Sequence, residues 1–147
     1  MRHSFLKIGV TSFMIMALGI FSTPVNILYG EAKDGEVTVA VLHGTTAAGP
    51  GITVHILNEV PCICKEKKCE PDIVKTGTTD GGGRVIFTGL KGKTNFIAAI
   101  AIDVMCGPTE CKKDGDCDLK SAVKRTNFTT DKHGGKAQPV IINTHQN

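Results

Sequence analysis

Apolar and polar residues alternate along several short segments of the chain, with the period of two that indicates β-strands. In the segment 36–43 this alternation places Val37, Val39 and Val41 on one face of a strand. The same pattern predicts seven strands, over 36–43, 52–57, 73–79, 84–88, 95–104, 122–130 and 137–144. The fifth predicted strand is the longest, and the third is poor enough in apolar residues to suit the edge of a sheet.

Turn-forming residues separate the predicted strands. Asp80-Gly81-Gly82-Gly83 stands between the third and fourth strands, and glycine supplies the positive φ that tight hairpins need. No segment after residue 32 has the 3.6-residue period of an amphipathic helix. Short strands and glycine-rich turns therefore predict an all-β fold, a seven-stranded Greek-key sandwich of two sheets.

The N-terminal segment has the organisation of a secretory signal peptide. A basic start is followed by an apolar run over 8–21, which is shorter than the roughly 20 residues of a membrane-spanning helix. We therefore expect no permanent membrane span. Gly30-Glu31-Ala32 fits the small-x-small cleavage pattern, which predicts a signal peptide over 1–32 and a single mature domain over 33–147. An uncleaved membrane anchor is the alternative.

Charge and aromatic content narrow the classes of partner. The chain carries 17 Lys and Arg against 14 Asp and Glu, a net charge of +3, which is too mild to indicate nucleic-acid binding. The predicted mature domain has only Phe87, Phe96 and Phe128 as aromatic residues. Because base stacking and protein-binding hot spots rely on exposed aromatic side chains, both kinds of interaction lose support.

One segment carries a family resemblance. Residues 78–90 read Thr-Thr-Asp-Gly-Gly-Gly-Arg-Val-Ile-Phe-Thr-Gly-Leu. With the predicted strands 36–43 and 52–57 ahead of it, this segment resembles the transthyretin-like (prealbumin-like) sandwich of carboxypeptidase regulatory-like and Cna B-type domains. The resemblance covers 36–104 well and 122–144 loosely. It implies a sandwich that serves as an accessory, adhesive or structural module.

The chain departs from the enzymatic branches of this group. The branch that resembles hydroxyisourate hydrolase ends in Tyr-Arg-Gly-Ser, whereas this chain ends in Thr144-His-Gln-Asn147. Intradiol dioxygenases of similar topology bind iron through Tyr and His, and the predicted mature domain has no Tyr. We therefore expect no catalytic residues and no enzymatic activity, with a small hydrolase as the third-ranked alternative.

Six cysteines form two clusters, which the strand prediction places in two inserted loops. The clusters are Cys62, Cys64 and Cys69, and Cys106, Cys111 and Cys117. Secreted proteins usually pair their cysteines, so we predict disulfides, for which six cysteines allow 15 pairings. Because each cluster holds three cysteines, complete pairing within the chain requires an odd number of bridges between the clusters.

The predicted strand order makes such bridges difficult. Simple antiparallel succession puts the two clusters at opposite ends of the sandwich, about 17 Å apart for a five-residue strand. A disulfide requires Cα atoms within roughly 7 Å. Three resolutions stay open: an insertion that folds back along the sandwich, a different strand count, or a disulfide-linked homo-oligomer.

Metal binding is the alternative role for the cysteines and for the acidic loop 114–118. Cysteine thiolates suit Zn²⁺ or Cu⁺, so a periplasmic metal-binding protein is the second hypothesis. The leading hypothesis, a disulfide-stabilised binding or structural module, involves no cofactor. Asp114, Asp116 and Asp118 match the first half of an EF-hand calcium loop. Leu119 and Arg125 stand where that loop has its glycine and its bidentate Glu, so a solvated polar loop is the favoured interpretation.

Histidines give no spacing that points to a site. His43 ends the first predicted strand and His55 lies in the second, so the two could approach each other. His55 alternates with Val54 and Ile56, and we expect it on the solvent side of its strand.

Lysines lie within both cysteine clusters. They are Lys65, Lys67, Lys68, Lys112 and Lys113. Beside the acidic loop 114–118 they suggest charge complementarity, including between copies of the chain. Because function varies most in loops on a rigid scaffold, we predict a secreted or periplasmic binding or structural module. Its disulfide-stabilised loops would contact a protein or cell-surface partner that the sequence does not identify.

Overall fold

The computed structural model describes residues 33–107 and 110–145, and within them the chain forms an all-β fold of two packed sheets. The elements are β1 (Glu36–His43), β2 (Thr46–Ala47), β3 (Thr53–Lys65), β4 (Lys68–Thr78), β5 (Arg84–Thr88), β6 (Asn95–Ile100), a 3₁₀ turn (Ile102–Val104), β7 (Arg125–Thr129) and β8 (Val140–Asn143). The predicted signal peptide, residues 1–32, lies outside the described residues. Within those residues, no helix has the length and apolar character needed to cross a membrane.

The first sheet is built around β1. Strands β5 and β2 pair antiparallel with one side of β1, and β8 pairs in parallel with the other side. Val39 therefore has Val85 of β5 and Val140 of β8 as its two neighbours. The two-residue β2 falls in a predicted loop and raises the number of strands in the described residues to eight, against the seven predicted.

The second sheet is fully antiparallel, in the order β4-β3-β6-β7. Strand β4 lies at its edge, as predicted from its low apolar content. In the centre of the sheet, Ile56 of β3 stands opposite Ala98 of β6, and the next residue, Leu57, stands opposite Ile97. Successive residues point to opposite faces, so these two pairs belong to different layers of the molecule.

The two sheets pack face to face around an apolar interior, the inter-sheet core. Val37, Val39 and Val41 are fully buried in it, as the alternation in β1 predicts. The other strands contribute Val54, Ile56, Val85, Phe87, Phe96, Ala98, Phe128, Val140 and Ile142. The predicted two-sheet sandwich is thereby confirmed.

The turn between β4 and β5 depends on Asp80. Its Oδ1 accepts hydrogen bonds from the backbone N–H groups of Arg84 at 3.0 Å and Gly82 at 2.8 Å. Gly83 completes the turn with a φ of 69°, which favours glycine. The hydrogen bond from Arg84, with that from Gly82, lowers the pKa of the Asp80 carboxyl because both favour its charged form.

Strands β3 and β4 extend well beyond the predicted strands and form one long hairpin. Between Leu57 and Cys62, four residues of β3 stand against the single residue Asp72 of β4, and a bulge of this kind bends the hairpin. The prediction ended the strand where this bulge interrupts the alternation. Pairing resumes and reaches the tip, where Glu66 and Lys67 have φ of 48° and 65°. The first cysteine cluster therefore lies on a hairpin and not in an inserted loop.

Strand β6 is shorter than the predicted strand 95–104. It ends at Ile100 because Ala101 adopts a left-handed conformation, with φ of 60°, and the 3₁₀ turn Ile102–Val104 follows. The connection to β7 then lies over the outer face of the second sheet, opposite the inter-sheet core. We call the described part of this connection, residues 101–107 and 110–124, the cap.

The cap buries a second apolar layer, the cap layer. Met105, Leu119 and Val123 of the cap pack with residues on the outer face of the second sheet, which are Leu57, Ile97 and Ala99. The second sheet is consequently buried on both faces around these positions. Of the three ways to bring the cysteine clusters together, the structure shows the insertion that folds back along the sandwich.

Candidate functional site

Three disulfides connect the hairpin β3–β4 to the cap. The pairs are Cys62–Cys106, Cys64–Cys111 and Cys69–Cys117, with Cα–Cα distances of 6.4, 5.8 and 6.3 Å. All three join one cluster to the other, which is the odd number that complete pairing within the chain requires. All six cysteines are bonded in this way, so a disulfide-linked homo-oligomer would require one of these bridges to open.

Five of the six sulfur atoms form two overlapping groups of close neighbours. The Sγ atoms of Cys62, Cys69 and Cys117 lie within 4.8 Å of one another, and so do those of Cys64, Cys111 and Cys117. Cys117 belongs to both groups, so its sulfur lies beside both of the other bridges. Each bridge joins a buried cysteine to a half-buried one, and the half-buried residues are Cys64, Cys69 and Cys106.

Hydrogen bonds fix the cap to the tip of the hairpin. The backbone N–H of Cys111 donates to the carbonyl oxygen of Lys67 at 2.9 Å. In the opposite direction, the N–H of Cys64 donates to Oδ1 of Asp114 at 2.7 Å. The tip, with its two residues of positive φ, thus supplies acceptor and donor groups that the cap satisfies, and the two segments form one surface.

The aspartates proposed as weak calcium ligands bind groups of the polypeptide itself. Oδ2 of Asp116 accepts hydrogen bonds from the N–H groups of Lys112 and Lys113, both at 3.0 Å. Oδ1 of Asp118 lies 3.3 Å from a guanidinium nitrogen of Arg125. In the described ranges, the side chains whose ligand atoms converge are the two groups of cysteines, and the aspartates of the loop 114–118 form no such group. Calcium binding therefore stays a prediction.

The predicted interaction lysines are exposed where the hairpin tip meets the cap. Lys65, Lys67 and Lys68 lie at the tip, and Lys112 and Lys113 lie in the cap. Lys65 Nζ is 2.9 Å from Oε2 of Glu70 on the same hairpin. This hydrogen bond, together with the negative charge of Glu70, raises the pKa of Lys65.

An open cleft of about 710 Å³ lies at this junction. Its lining residues are Cys64, Glu66, Lys67, Glu110, Cys111 and Lys112. Two lysines and two glutamates thus line the cleft together with the Cys64–Cys111 disulfide. The sequence suggested charge complementarity between the lysines of the hairpin tip and the acidic loop 114–118 of another copy. Within one chain these two segments are already in contact, through the hydrogen bond from the N–H of Cys64 to Asp114.

His55 is buried, with 6% of its surface exposed, which corrects the prediction that it faces solvent. It does lie on the face opposite Val54 and Ile56, but its cross-strand neighbour there is Ala99, a residue of the cap layer. Its Nδ1 shares a 2.8 Å hydrogen bond with Oγ1 of Thr76. Burial lowers the pKa of His55 because it disfavours the imidazolium form.

A histidine pair that the sequence did not indicate lies at the end of β1. The rings of His43 and His145 are 4.3 Å apart between centroids, and Nδ1 of His43 is 3.0 Å from Oγ1 of Thr144. The parallel pairing of β8 with β1 brings these distant residues together. The sequence predicted that His43 could approach His55. In the structure, His55 instead shares a hydrogen bond with Thr76.

No protein-family model matches this chain, and no curated protein matches it. The transthyretin-like resemblance therefore stays a prediction. The inference of function therefore rests on the junction of the hairpin and the cap, where three disulfides and the open cleft lie together.

Proposed function

We propose that this protein is a secreted or periplasmic, non-enzymatic β-sandwich module that binds a protein or cell-surface partner. Its contact surface would be the hairpin tip together with the cap, which three disulfides hold in one arrangement. This interpretation makes the sandwich a scaffold and the junction the functional part, because binding residues tend to lie on loops positioned by a rigid framework.

The observation that carries this proposal is the direction of the disulfides. None of the three closes a loop within the hairpin or within the cap; each joins one segment to the other. The bridges therefore fix the relative position of two irregular segments, which reduces the conformational entropy that a partner would otherwise have to remove on binding. Disulfides of this number also persist best in oxidising compartments, which supports secretion.

Site-specific photo-cross-linking tests the contact surface. A photoreactive amino acid replaces Lys67 at the hairpin tip or Lys112 in the cap, and Lys91 serves as the control because it is exposed in the connection before β6, outside the junction. Illumination of intact secreting cells should give one discrete adduct from the first two positions and none from the control. Equal adducts from all three positions, or none from Lys67 and Lys112, would contradict the proposal.

The intact mass of the secreted protein tests the compartment. We expect cleavage after Ala32 and a mass reduced by the six hydrogens of three disulfides. Alkylating reagents should add nothing under denaturing conditions until a reductant is present. Retention of residues 1–32, or free thiols in the secreted protein, would contradict this part of the proposal.

Metal binding is a second candidate, supported by the convergence of sulfurs from different bridges. In a reduced chain, Cys62, Cys69 and Cys117 would be close enough to share one soft ion. The oxidised bridges exclude this use of the same sulfurs, so the two candidates are separable. Stoichiometric metal in freshly purified protein, with thiols that become alkylated on denaturation, would favour the metal protein over the disulfide-stabilised module.

A further inference from the structure

Cys117 occupies a special position among the six cysteines. Its Sγ lies within 4.8 Å of Cys62, of Cys64 and of Cys111, in addition to its own partner Cys69. The other two bridges are thus both neighbours of this one sulfur. Cys106 belongs to neither group of neighbouring sulfurs, so the six cysteines are not equivalent in their access to one another.

The Cys69–Cys117 bridge has one accessible end. Cys69 is half-buried near the start of β4, whereas Cys117 is 5% exposed and lies in the cap layer. An external thiolate therefore reaches Cys69 first, and the leaving group is the thiolate of Cys117. That thiolate is released among the remaining bridges and away from solvent, which favours its reaction with a neighbouring disulfide over diffusion-limited reaction with small molecules.

We propose that Cys117 is the centre of an intramolecular thiol–disulfide exchange site, which transfers the opening of one bridge to another. A small monothiol, as its thiolate, attacks Sγ of Cys69, breaks the Cys69–Cys117 bond and forms a mixed disulfide on Cys69. The Cys117 thiolate then attacks the Cys64–Cys111 bridge, forms a bond to one of its sulfurs and expels the other as a thiolate. One S–S bond breaks and one forms in each step, so neither step changes the number of disulfides.

The arrangement favours this second step in two ways. The reacting sulfurs are already within 4.8 Å, so side-chain rotation brings them together without a change in the strands. Lys112 is the sequence neighbour of Cys111, and positive charge near that sulfur stabilises it as the leaving thiolate.

Exchange through Cys117 has a consequence for the cap. After the second step the Cys62–Cys106 bridge still joins the cap to the hairpin. Attack on Cys64 gives a Cys117–Cys64 bridge that also joins the two segments and leaves the thiolate on Cys111, whereas attack on Cys111 gives a bridge within the cap and leaves the thiolate on Cys64. The hairpin–cap surface would thus respond to an external thiol by changing its cross-links without releasing the cap.

A variant that lacks one cysteine tests the exchange without any external thiol. Cys69→Ser leaves Cys117 as the one unpaired cysteine. The matched control is Cys62→Ser, which leaves Cys106 unpaired and outside both sulfur groups. Both proteins are purified at pH 5, where the thiol is protonated, brought to pH 8 for timed intervals and quenched with acid. Alkylation and peptide mapping then locate the free thiol and the bridges.

We expect most of the label in Cys69→Ser to leave Cys117 and appear on other cysteines, with a new bridge from Cys117 to Cys64 or Cys111. In the control, the label should stay on Cys106. Label that remains on Cys117 would overturn the proposal. Equal rearrangement in both variants would overturn it as well, because it would indicate scrambling without a preferred centre.

The unsubstituted protein provides a second test in case a variant fails to fold. Limiting glutathione at pH 8, followed by acid quenching, should give a mixed disulfide on Cys69 together with a free thiol on Cys64 or Cys111. A free thiol confined to Cys117, or a first mixed disulfide on a different bridge, would contradict the proposed order of steps.

Discussion

The inter-sheet core and the cap layer are both apolar, but different forces hold them in place. The inter-sheet core lies between two hydrogen-bonded sheets, and within it the described residues include no cysteine. The cap layer lies between a sheet and a segment whose only β pairing among the described residues is the isolated bridge of Cys106 with Leu119. All six cysteines are in or against this second layer.

This difference shows where covalent cross-links are needed. A strand that packs its apolar face on a second sheet already has its backbone groups satisfied by the ladder. The cap has few such partners and is held by a few side chains, the hairpin-tip hydrogen bonds and three disulfides. We therefore expect the cap layer to depend on oxidation far more strongly than the inter-sheet core does.

Reduction of all three bridges should have the largest effect. Loops that span 44 to 48 residues correspond to about 4 kcal/mol for the first cross-link in the chain-entropy description, with less for each further one. The free energy of unfolding in urea should decrease by at least about 4 kcal/mol on reduction. Hydrogen exchange should show the cap amides losing protection before those of β1. Simultaneous loss in both regions would remove the distinction.

Two neighbouring residues on β3 separate the layers directly. Ile56 faces the inter-sheet core and Leu57 faces the cap layer, and both are fully buried. Substitution of either with Ala should lower the free energy of unfolding by about 2–5 kcal/mol. Only Leu57→Ala should also speed the reduction of the disulfides by added thiol, because it loosens the cap.

Alkylation of samples quenched at timed intervals measures the rate of disulfide reduction in each variant, with the unsubstituted protein as reference. An equal acceleration in Ile56→Ala, under conditions where both variants stay folded, would show that the bridges open only through global unfolding.

Two glycines with positive φ give a smaller contrast. A Cβ at Gly134 would lie 2.0 Å from the carbonyl oxygen of Leu90, at the end of the sandwich, whereas a Cβ at Gly115 in the cap would meet no atom within 4 Å. Gly115→Ala should lower the free energy of unfolding by about 1–2 kcal/mol, which is the cost of holding Ala in the left-handed conformation. Gly134→Ala should lower the free energy of unfolding by clearly more, because the backbone must also move. Equal midpoints of thermal unfolding for the two variants would contradict this expectation.

The pH dependence of stability should show the smallest effect. Burial lowers the pKa of His55 below its ordinary value of 6.5, so the unfolded chain binds the proton more readily. The contribution of the neutral imidazole is fully present above pH 6.5 and is lost as the pH falls through the lower pKa of the folded state. His55→Gln should flatten the stability profile between pH 7 and pH 5, whereas the same substitution at exposed His133 should leave its slope unchanged.

Two strands of the first sheet, β1 and β5, could be predicted from alternation alone. The bounds of β1 and β5 match the predicted strands, because one face of each is buried and the other is more polar. Alternation fails where both faces are buried or where a strand bulges. In β6 the run Phe96, Ile97, Ala98 and Ala99 is buried throughout, and nothing in it showed that the strand ends when Ala101 turns left-handed.

The site could be predicted in part. The cysteines and lysines were identified as residue types, and counting cysteines required an odd number of bridges between the clusters. The pairing itself depends on the bend of β3 and the return of the cap over the second sheet, and local sequence contains neither. The burial of His55 has the same origin, because its strand face is covered by a segment nearly fifty positions away.

The double burial of the second sheet gives a way to recognise related sequences. In a sandwich of this design without the cap, the positions of Leu57, Ile97 and Ala99 would face water, and selection would favour polar residues there. The inward positions of the same strands would stay apolar in either case. A relative with three polar residues at the outward positions should therefore lack the insertion and its cysteines together, and one with three apolar residues should have gained both.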